Sequence, residues 1–203
     1  MNAQSIDLHY KAKVYRHKPS YLKSTQIHCK EVIRLGLITD GGWNVCHDKQ
    51  YRPSHPCLVY SFGIFWDFSF DDAVAETYGC EIHSFDPSMN TSDFKRGNLI
   101  WFHKLGLSDK SGIYGKNKWK VSTLQDIFAE LNHTSKALDI LKMDIESMEW
   151  QSLPNMIKTG ALRNTRQLSV EIHRHSVSLQ MLQTLRSIYD EGYRIYWYHR
   201  NLI

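Results

Sequence analysis

Short apolar runs separated by amphipathic stretches set the rhythm of this chain from residue 57 onward. Runs over 57–62, 80–85, 98–103, 138–143, 166–172 and 193–198 are rich in aliphatic and aromatic residues. Gly, Pro, Asp or Asn bound most of them, which predicts six strands. Helical spacing fills the intervals 71–78, 121–131, 148–158 and 179–190. Ser69 or Asp71 suits the start of the first helix and Gly79 its end. Ser122 with Gln125, or Thr123 with Asp126, offers a capping box to the second. Gly160 follows the third, whose Pro154 predicts a kink or a shorter helix. Strands that alternate with helices predict an α/β fold: a mostly parallel sheet, helices on both faces, right-handed crossovers.

Before residue 57 the pattern is weaker. Residues 1–20 are polar and aperiodic and read as an arm preceding a single domain over 21–203. Leu22, Ile27, Val32, Ile33 and Leu35 can share one helical face, predicting a helix over 21–35 that stops at Gly36. Asp40-Gly41-Gly42-Trp43 reads as a turn, and the polar, Pro-bearing stretch 43–56 as a loop over the sheet. Residues 108–118, rich in Gly, Ser, Asn and Lys, read as a second, flexible loop.

Composition narrows the class. With 203 residues, 42% hydrophobic and 23% charged, the chain can bury a substantial core and is not disordered in character. A net charge of +4 from scattered Lys and Arg lacks the dense basic stripe of a nucleic-acid binder. No apolar run is long enough to span a bilayer, and no signal-peptide pattern follows Met1. Cys29, Cys46, Cys57 and Cys80 allow two disulfides in three connectivities, or four reduced thiols. Cys57 and Cys80 each precede a predicted strand and would be close if those strands are neighbours. No Cys-x-x-Cys pair points to zinc.

The candidate chemistry lies at strand ends, where open parallel sheets bind ligands. The first strand, Leu58-Val59-Tyr60-Ser61-Phe62, ends in Gly63, which lets backbone approach a ligand closely. The second ends in Asp86, at about the ~20-residue offset where an acid receives ribose hydroxyls. No Gly-x-Gly-x-x-Gly accompanies Gly63, which argues against a dinucleotide and a nicotinamide oxidoreductase. An adenosine cofactor without phosphates, such as S-adenosylmethionine, needs less glycine. Asp144 and Glu146 close the fourth strand two residues apart; Glu171 and His173 repeat that spacing on the fifth, with His175 beyond. If these strands are adjacent, one rim gathers three carboxylates and at least one imidazole. Such a cluster calls for a positive partner: the sulfonium, a substrate cation, or Mg²⁺ or Mn²⁺. Solvated strand ends and helix caps (Glu146 or Glu149 at the next helix) explain the same residues without a metal, and none is assigned. Phe62, Phe65, Trp66, Phe68, Trp101 and Trp150 are candidate stacking or pocket-wall residues.

Pro56-Cys57-Leu58-Val59-Tyr60-Ser61-Phe62-Gly63-Ile64, Asp67-Phe68-Ser69-Phe70-Asp71, Gly79-Cys80-Glu81 and Phe85-Asp86-Pro87-Ser88 resemble the probable methyltransferase-like protein 24 family. Leu141-Lys142-Met143-Asp144-Ile145-Glu146-Ser147-Met148-Glu149-Trp150 and Arg166-Gln167-Leu168-Ser169-Val170-Glu171-Ile172-His173 extend the resemblance, which covers about residues 29 to 200. That family is related to FkbM-type methyltransferases, whose Asp-Val-Glu-Gly-type motif resembles Asp144-Ile145-Glu146-Ser147.

The resemblance implies a class I, Rossmann-like S-adenosylmethionine-dependent fold. Ser61, Phe62 and Gly63 would face the methionine part and Asp86-Pro87 the ribose. Leu105-Gly106-Leu107-Ser108 would face the adenine, and Asp144 the methyl donor. Methyl transfer to an oxygen or nitrogen of an unknown acceptor is then expected. Asp144 and Glu146 would orient the reactants, and Glu171 or His173 would take a proton. The resemblance also implies a secretory-pathway setting, in which paired cysteines gain weight. Two departures stand out. Ser147 replaces the usual Gly, and no seventh, antiparallel strand is read after the sixth, which predicts an unpaired edge. A non-catalytic binding protein on the same fold is the competing expectation.

Overall fold

The computed structural model describes residues 4–12, 24–174 and 178–201. In chain order its elements are β1 (Gln4–Ala12), β2 (Val32–Leu35), β3 (Trp43–Cys46), β4 (Leu58–Phe62), α1 (Ser69–Tyr78), β5 (Glu81–Phe85), β6 (Phe94–Arg96) and β7 (Ile100–His103). There follow β8 (Gly106–Leu107), β9 (Gly112–Tyr114), β10 (Trp119–Ser122), α2 (Leu124–Glu130), β11 (Leu138–Met143), α3 (Glu149–Thr159), β12 (Thr165–Arg174), α4 (Leu179–Asp190) and β13 (Tyr193–Asn201). Eight strands form the central sheet in the order β13-β1-β12-β11-β4-β5-β7-β6. Every neighbouring pair is parallel except β6 with β7. This is the α/β Rossmann-like architecture expected.

Alternation along β4 shows how the sheet divides its faces. Leu58, Tyr60 and Phe62 join one apolar cluster with residues of α2, α3 and α4. Val59 joins the opposite cluster with Val74 of α1, Trp43 and Val45 of β3, and Ile140. Buried on both faces, the strand reads as a continuous apolar run. The helix ends follow local chemistry. Gly79 closes α1 at φ 67°, its N–H donating to the Ala75 carbonyl, and the Thr123 side chain accepts from the Asp126 N–H at the start of α2. α3 runs through Pro154 without shortening. The carbonyl that Pro154 deprives of a donor belongs to Trp150, in the helix's first turn.

The N-terminal third corrects the sequence reading. Residues 4–12, expected as part of a polar arm, form β1 in the interior of the sheet, parallel to both β12 and β13. β13 therefore has a neighbour, although not the antiparallel one that the resemblance implies. Of the helix expected over 21–35, residues 21–23 lie outside the described residues, and the rest contains β2 instead. β2 pairs antiparallel with β3, which occupies the start of the expected 43–56 loop. Two long-range ties determine this conformation. The Cys29–Cys46 disulfide joins the two segments, and the Asp48 carboxylate accepts the Lys30 and Glu31 backbone N–H groups. The hairpin is fastened to the sheet by Gln167 of β12. Its amide donates to the carbonyls of Cys46 and Tyr51 and accepts the Cys46 N–H. A second disulfide, Cys57–Cys80, ties the residues that precede β4 and β5. The 108–118 loop carries β9, part of a small sheet β8-β10-β9. Among the described residues no helix is long and apolar enough to cross a membrane.

Candidate functional site

A cleft opens at the C-terminal ends of β4, β5 and β11, where parallel sheets of this kind bind ligands. Phe62, Gly63, Asp86, Pro87, Gly106, Leu107 and Asp144 all line it, as do Phe85, Ser88, Ile145, Glu146 and Met148. Tyr114, Trp119 and Val121, from the small sheet, supply one wall. The flexible-loop reading of 108–118 concealed Tyr114, and no chemical signal singled out Trp119. Ser61 is the exception among the candidate cofactor residues. The strand's alternation points it to the α1 face, where its hydroxyl donates to Asp71.

Gly63 requires its small size. Its φ is 73°, and a Cβ there would stand 1.6 Å from the Asp144 carbonyl oxygen. Its N–H donates to Phe85 O at 2.8 Å, which ties the ends of β4 and β5. Buried Lys142 donates to the Phe62 and Gly63 carbonyls at 3.1 and 2.9 Å, so an ammonium sits directly beneath this turn. A lysine inside a strand carries no sequence signal for such a role.

Asp86 is buried and anchored. One carboxylate oxygen accepts the Phe65 N–H at 2.9 Å. The other accepts the Ser88 N–H and hydroxyl at 2.8 and 2.6 Å. A carboxylate offers about four acceptor positions, so one remains on the oxygen shared with Phe65.

The acidic rim assembles as the register of β11 with β12 demands. His173 Nε2 lies 3.7 Å from Asp144, 3.5 Å from Glu146 and 3.9 Å from Glu171. Asp144 and Glu146 face the cleft, whereas Glu171 and His173 lie behind them. Glu149, the first residue of α3, is fully buried; it accepts the His173 backbone N–H at 2.6 Å and lies 3.5 Å from the ring's Nδ1. Trp150 holds the same backbone by donating from its indole to His173 O. Burial alone would lower the His173 pKa, but Glu149, Glu171 and Glu146 outweigh it and hold the imidazole above its ordinary range. The turn after β11 is left-handed at both Glu146 and Ser147, with φ 49° and 77°. His175 lies outside the described residues.

A second titratable group lies away from the cleft. Tyr60, His133, Glu81, His83 and His103 form a continuous chain of contacts at 2.7 to 3.1 Å. Burial pushes His83 down to about 4.

Residues 9–199 match a family described as a methyltransferase domain. The probable methyltransferase-like protein 24 of Homo sapiens is 32% identical over 169 residues, covering 76% of this chain and 46% of the relative. Its Rattus norvegicus counterpart is 32% identical over 170 residues, covering 77% and 46%. The chain thus spans less than half the length of these relatives. No solved structure matches. On the family match and the parallel sheet together, the chain belongs to the methyltransferase domain family.

Proposed function

We propose that this domain binds S-adenosylmethionine in the cleft at the ends of β4, β5 and β11, and transfers its methyl group to an oxygen or nitrogen acceptor. One observation carries the reading: seven of the eight residues expected to hold this cofactor share that single cleft. The donor set suits it. The Asp86 carboxylate keeps an acceptor position for a ribose hydroxyl, and Gly63 lets the ends of β4 and β11 close together at the edge of the cleft. Phe62, Phe85, Leu107 and Val121 offer apolar surface to a nucleoside base.

When bound, the cofactor supplies an activated methyl on a positively charged sulfonium. The chain's own task is then alignment and exclusion of water. Asp144 and Glu146 present negative charge to the cleft beside the expected methyl donor. Asp144 and Glu146 would hold an acceptor's oxygen or nitrogen in line with that methyl group. The acceptor proton would pass to Glu171, which lies behind Asp144 and Glu146 on the rim. The two disulfides favour an oxidising compartment such as the secretory pathway.

The test is calorimetric titration of the folded chain with S-adenosylmethionine and S-adenosylhomocysteine, beside Asp86→Asn. Micromolar binding that the substitution weakens at least tenfold supports the reading. No binding by the folded chain overturns it. Tight binding without product on any acceptor pool would instead favour the non-catalytic binding protein.

A further inference from the structure

Among the described residues two groups of carboxylates and imidazoles have the composition of a metal site, and their internal distances differ. In the Glu81, His83 and His133 group the contacts to Glu81 Oε1 are 3.0 and 3.1 Å, and each of these ring nitrogens has a hydrogen-bonding or ion-pair partner. That network is closed and complete. Around His173 the contacts run from 3.5 to 3.9 Å, too long for hydrogen bonds. Among the described residues neither ring nitrogen has a hydrogen-bond partner, although the side chain is only 8% exposed. A buried imidazole whose ring nitrogens make no hydrogen bond, with only loose ion-pair contacts around it, has room for a further group to complete it.

The spacing indicates what is missing. Two donors bound to one ion at ~2.1–2.2 Å with an angle of ~90–110° lie ~3.0–3.6 Å apart. The separations of His173 Nε2 from Asp144 and Glu146 are close to this range, and the donor atoms of all three lie within 4.8 Å of one another. The other ring nitrogen faces Glu149, a fully buried carboxylate that also accepts the His173 N–H. A carboxylate behind a ligating histidine is the usual support of a metal-bound imidazole, fixing its tautomer and orientation.

We propose that Asp144, Glu146 and His173 form a divalent-cation site on the rim of the cleft, with Glu149 supporting the histidine from behind. One nitrogen and two carboxylate donors suit Mn²⁺ best among common ions, and the open side toward the cleft leaves positions for an acceptor's oxygen. Two of the three donors line the cleft assigned to the methyl donor, so the ion's role in the reaction rests on that assignment. The existence of the site does not.

The test uses Mn²⁺ alone on the folded, chelator-stripped chain, followed by electron paramagnetic resonance and calorimetry. The expected result is one Mn²⁺ per chain. Glu146→Gln should weaken it at least tenfold; Glu146 is an exposed residue whose change should not disturb folding. Glu149→Gln should weaken it ~10–100-fold without removing a direct ligand. Failure of the folded chain to bind Mn²⁺, or binding unchanged in Glu146→Gln, overturns the proposal. Titration with S-adenosylmethionine in chelator reads the cofactor assignment separately, so either reading can fail while the other stands.

Discussion

The ammonium of Lys142 donates to the carbonyl oxygen of Gly63 at 2.9 Å, from a position only 5% exposed. It reaches the Phe62 carbonyl as well, and lies 5.4 Å from the centre of the Trp43 ring. The turn that forms one wall of the cleft is thus held from below by a buried cation. Lys142→Met keeps the length and removes the charge and both hydrogen bonds. Hydrogen bonds to a charged group contribute ~1.5–3 kcal/mol each, and the better-buried methionine offsets part of the loss of two, so the change should be about 2–4 kcal/mol in urea unfolding. Cofactor affinity should fall with it, as the Gly63 turn loses its tether. Unchanged stability and affinity would mean that the lysine is incidental.

Beneath the same turn, Asp71 is fully buried and accepts the Ser84 and Ser61 hydroxyls at 2.7 and 3.4 Å. Burial raises its carboxyl to about 6, against the opposing pull of Lys142 and the two serines. The folded state therefore holds the proton more tightly than the unfolded chain, whose value is near 3.8. This contribution to stability is complete below pH 3.8 and is lost as pH rises through about 6. Asp71→Asn does not titrate. Its stability relative to the parent should improve between pH 4 and 7, by on the order of 3 kcal/mol at most. Urea midpoints at both pH values measure this; a difference that does not change with pH would contradict it.

The residues of this network explain what sequence reading could and could not see. Strands flanked on both faces, such as β11, stand out as apolar runs, and α4 announces itself by its helical spacing. Gly63, Asp86 and the Asp144, Glu146, Glu171, His173 rim were legible because strand ends in a parallel sheet converge. Lys142, Asp71 and Glu149 were not, since an isolated charge in an apolar pattern resembles a solvated one until its partners are known. β2 and β3 were lost for a similar reason. Ile33 and Leu35 fit a helix, and only contacts with Asp48 and Cys46 hold the segment extended. β1 has few apolar residues, and its place in the sheet depends on backbone pairing with β12 and β13. Ser61 falls outside the cleft because alternation along β4 turns it toward Asp71, which a motif alone does not convey.

The turn at Ser147 stores strain that a single substitution can remove. Ser147 adopts φ 77°, where a Cβ is crowded by its own backbone and glycine is not. The related motif carries Gly at this position. Ser147→Gly should therefore stabilise the domain, by about 0.5–1 kcal/mol after the extra freedom of glycine in the unfolded chain is deducted. Thermal unfolding measures it. A destabilised variant would imply that the serine side chain makes a contact worth more than the strain.

The Cys57–Cys80 disulfide should separate stability from binding. It joins the entry ends of β4 and β5, where the Glu81 N–H donates to the Cys57 carbonyl at 2.9 Å. Gly63 and Asp86 stand at the exit ends of the same strands, six residues and therefore ~20 Å away. The bridge spans a sequence separation of 23, and closing a loop of that size contributes ~3 kcal/mol, chiefly by restricting the unfolded chain. Replacing both cysteines by alanine should thus lower the urea midpoint by an amount equivalent to about 2–4 kcal/mol. Affinity for S-adenosylmethionine, measured on the fraction that stays folded, should change less than twofold, because the sheet between the two ends is buried on both faces and holds its own register. A large loss of affinity at full folding would show instead that the bridge sets the spacing of Gly63 and Asp86, and that the cleft is built from both ends of the strands.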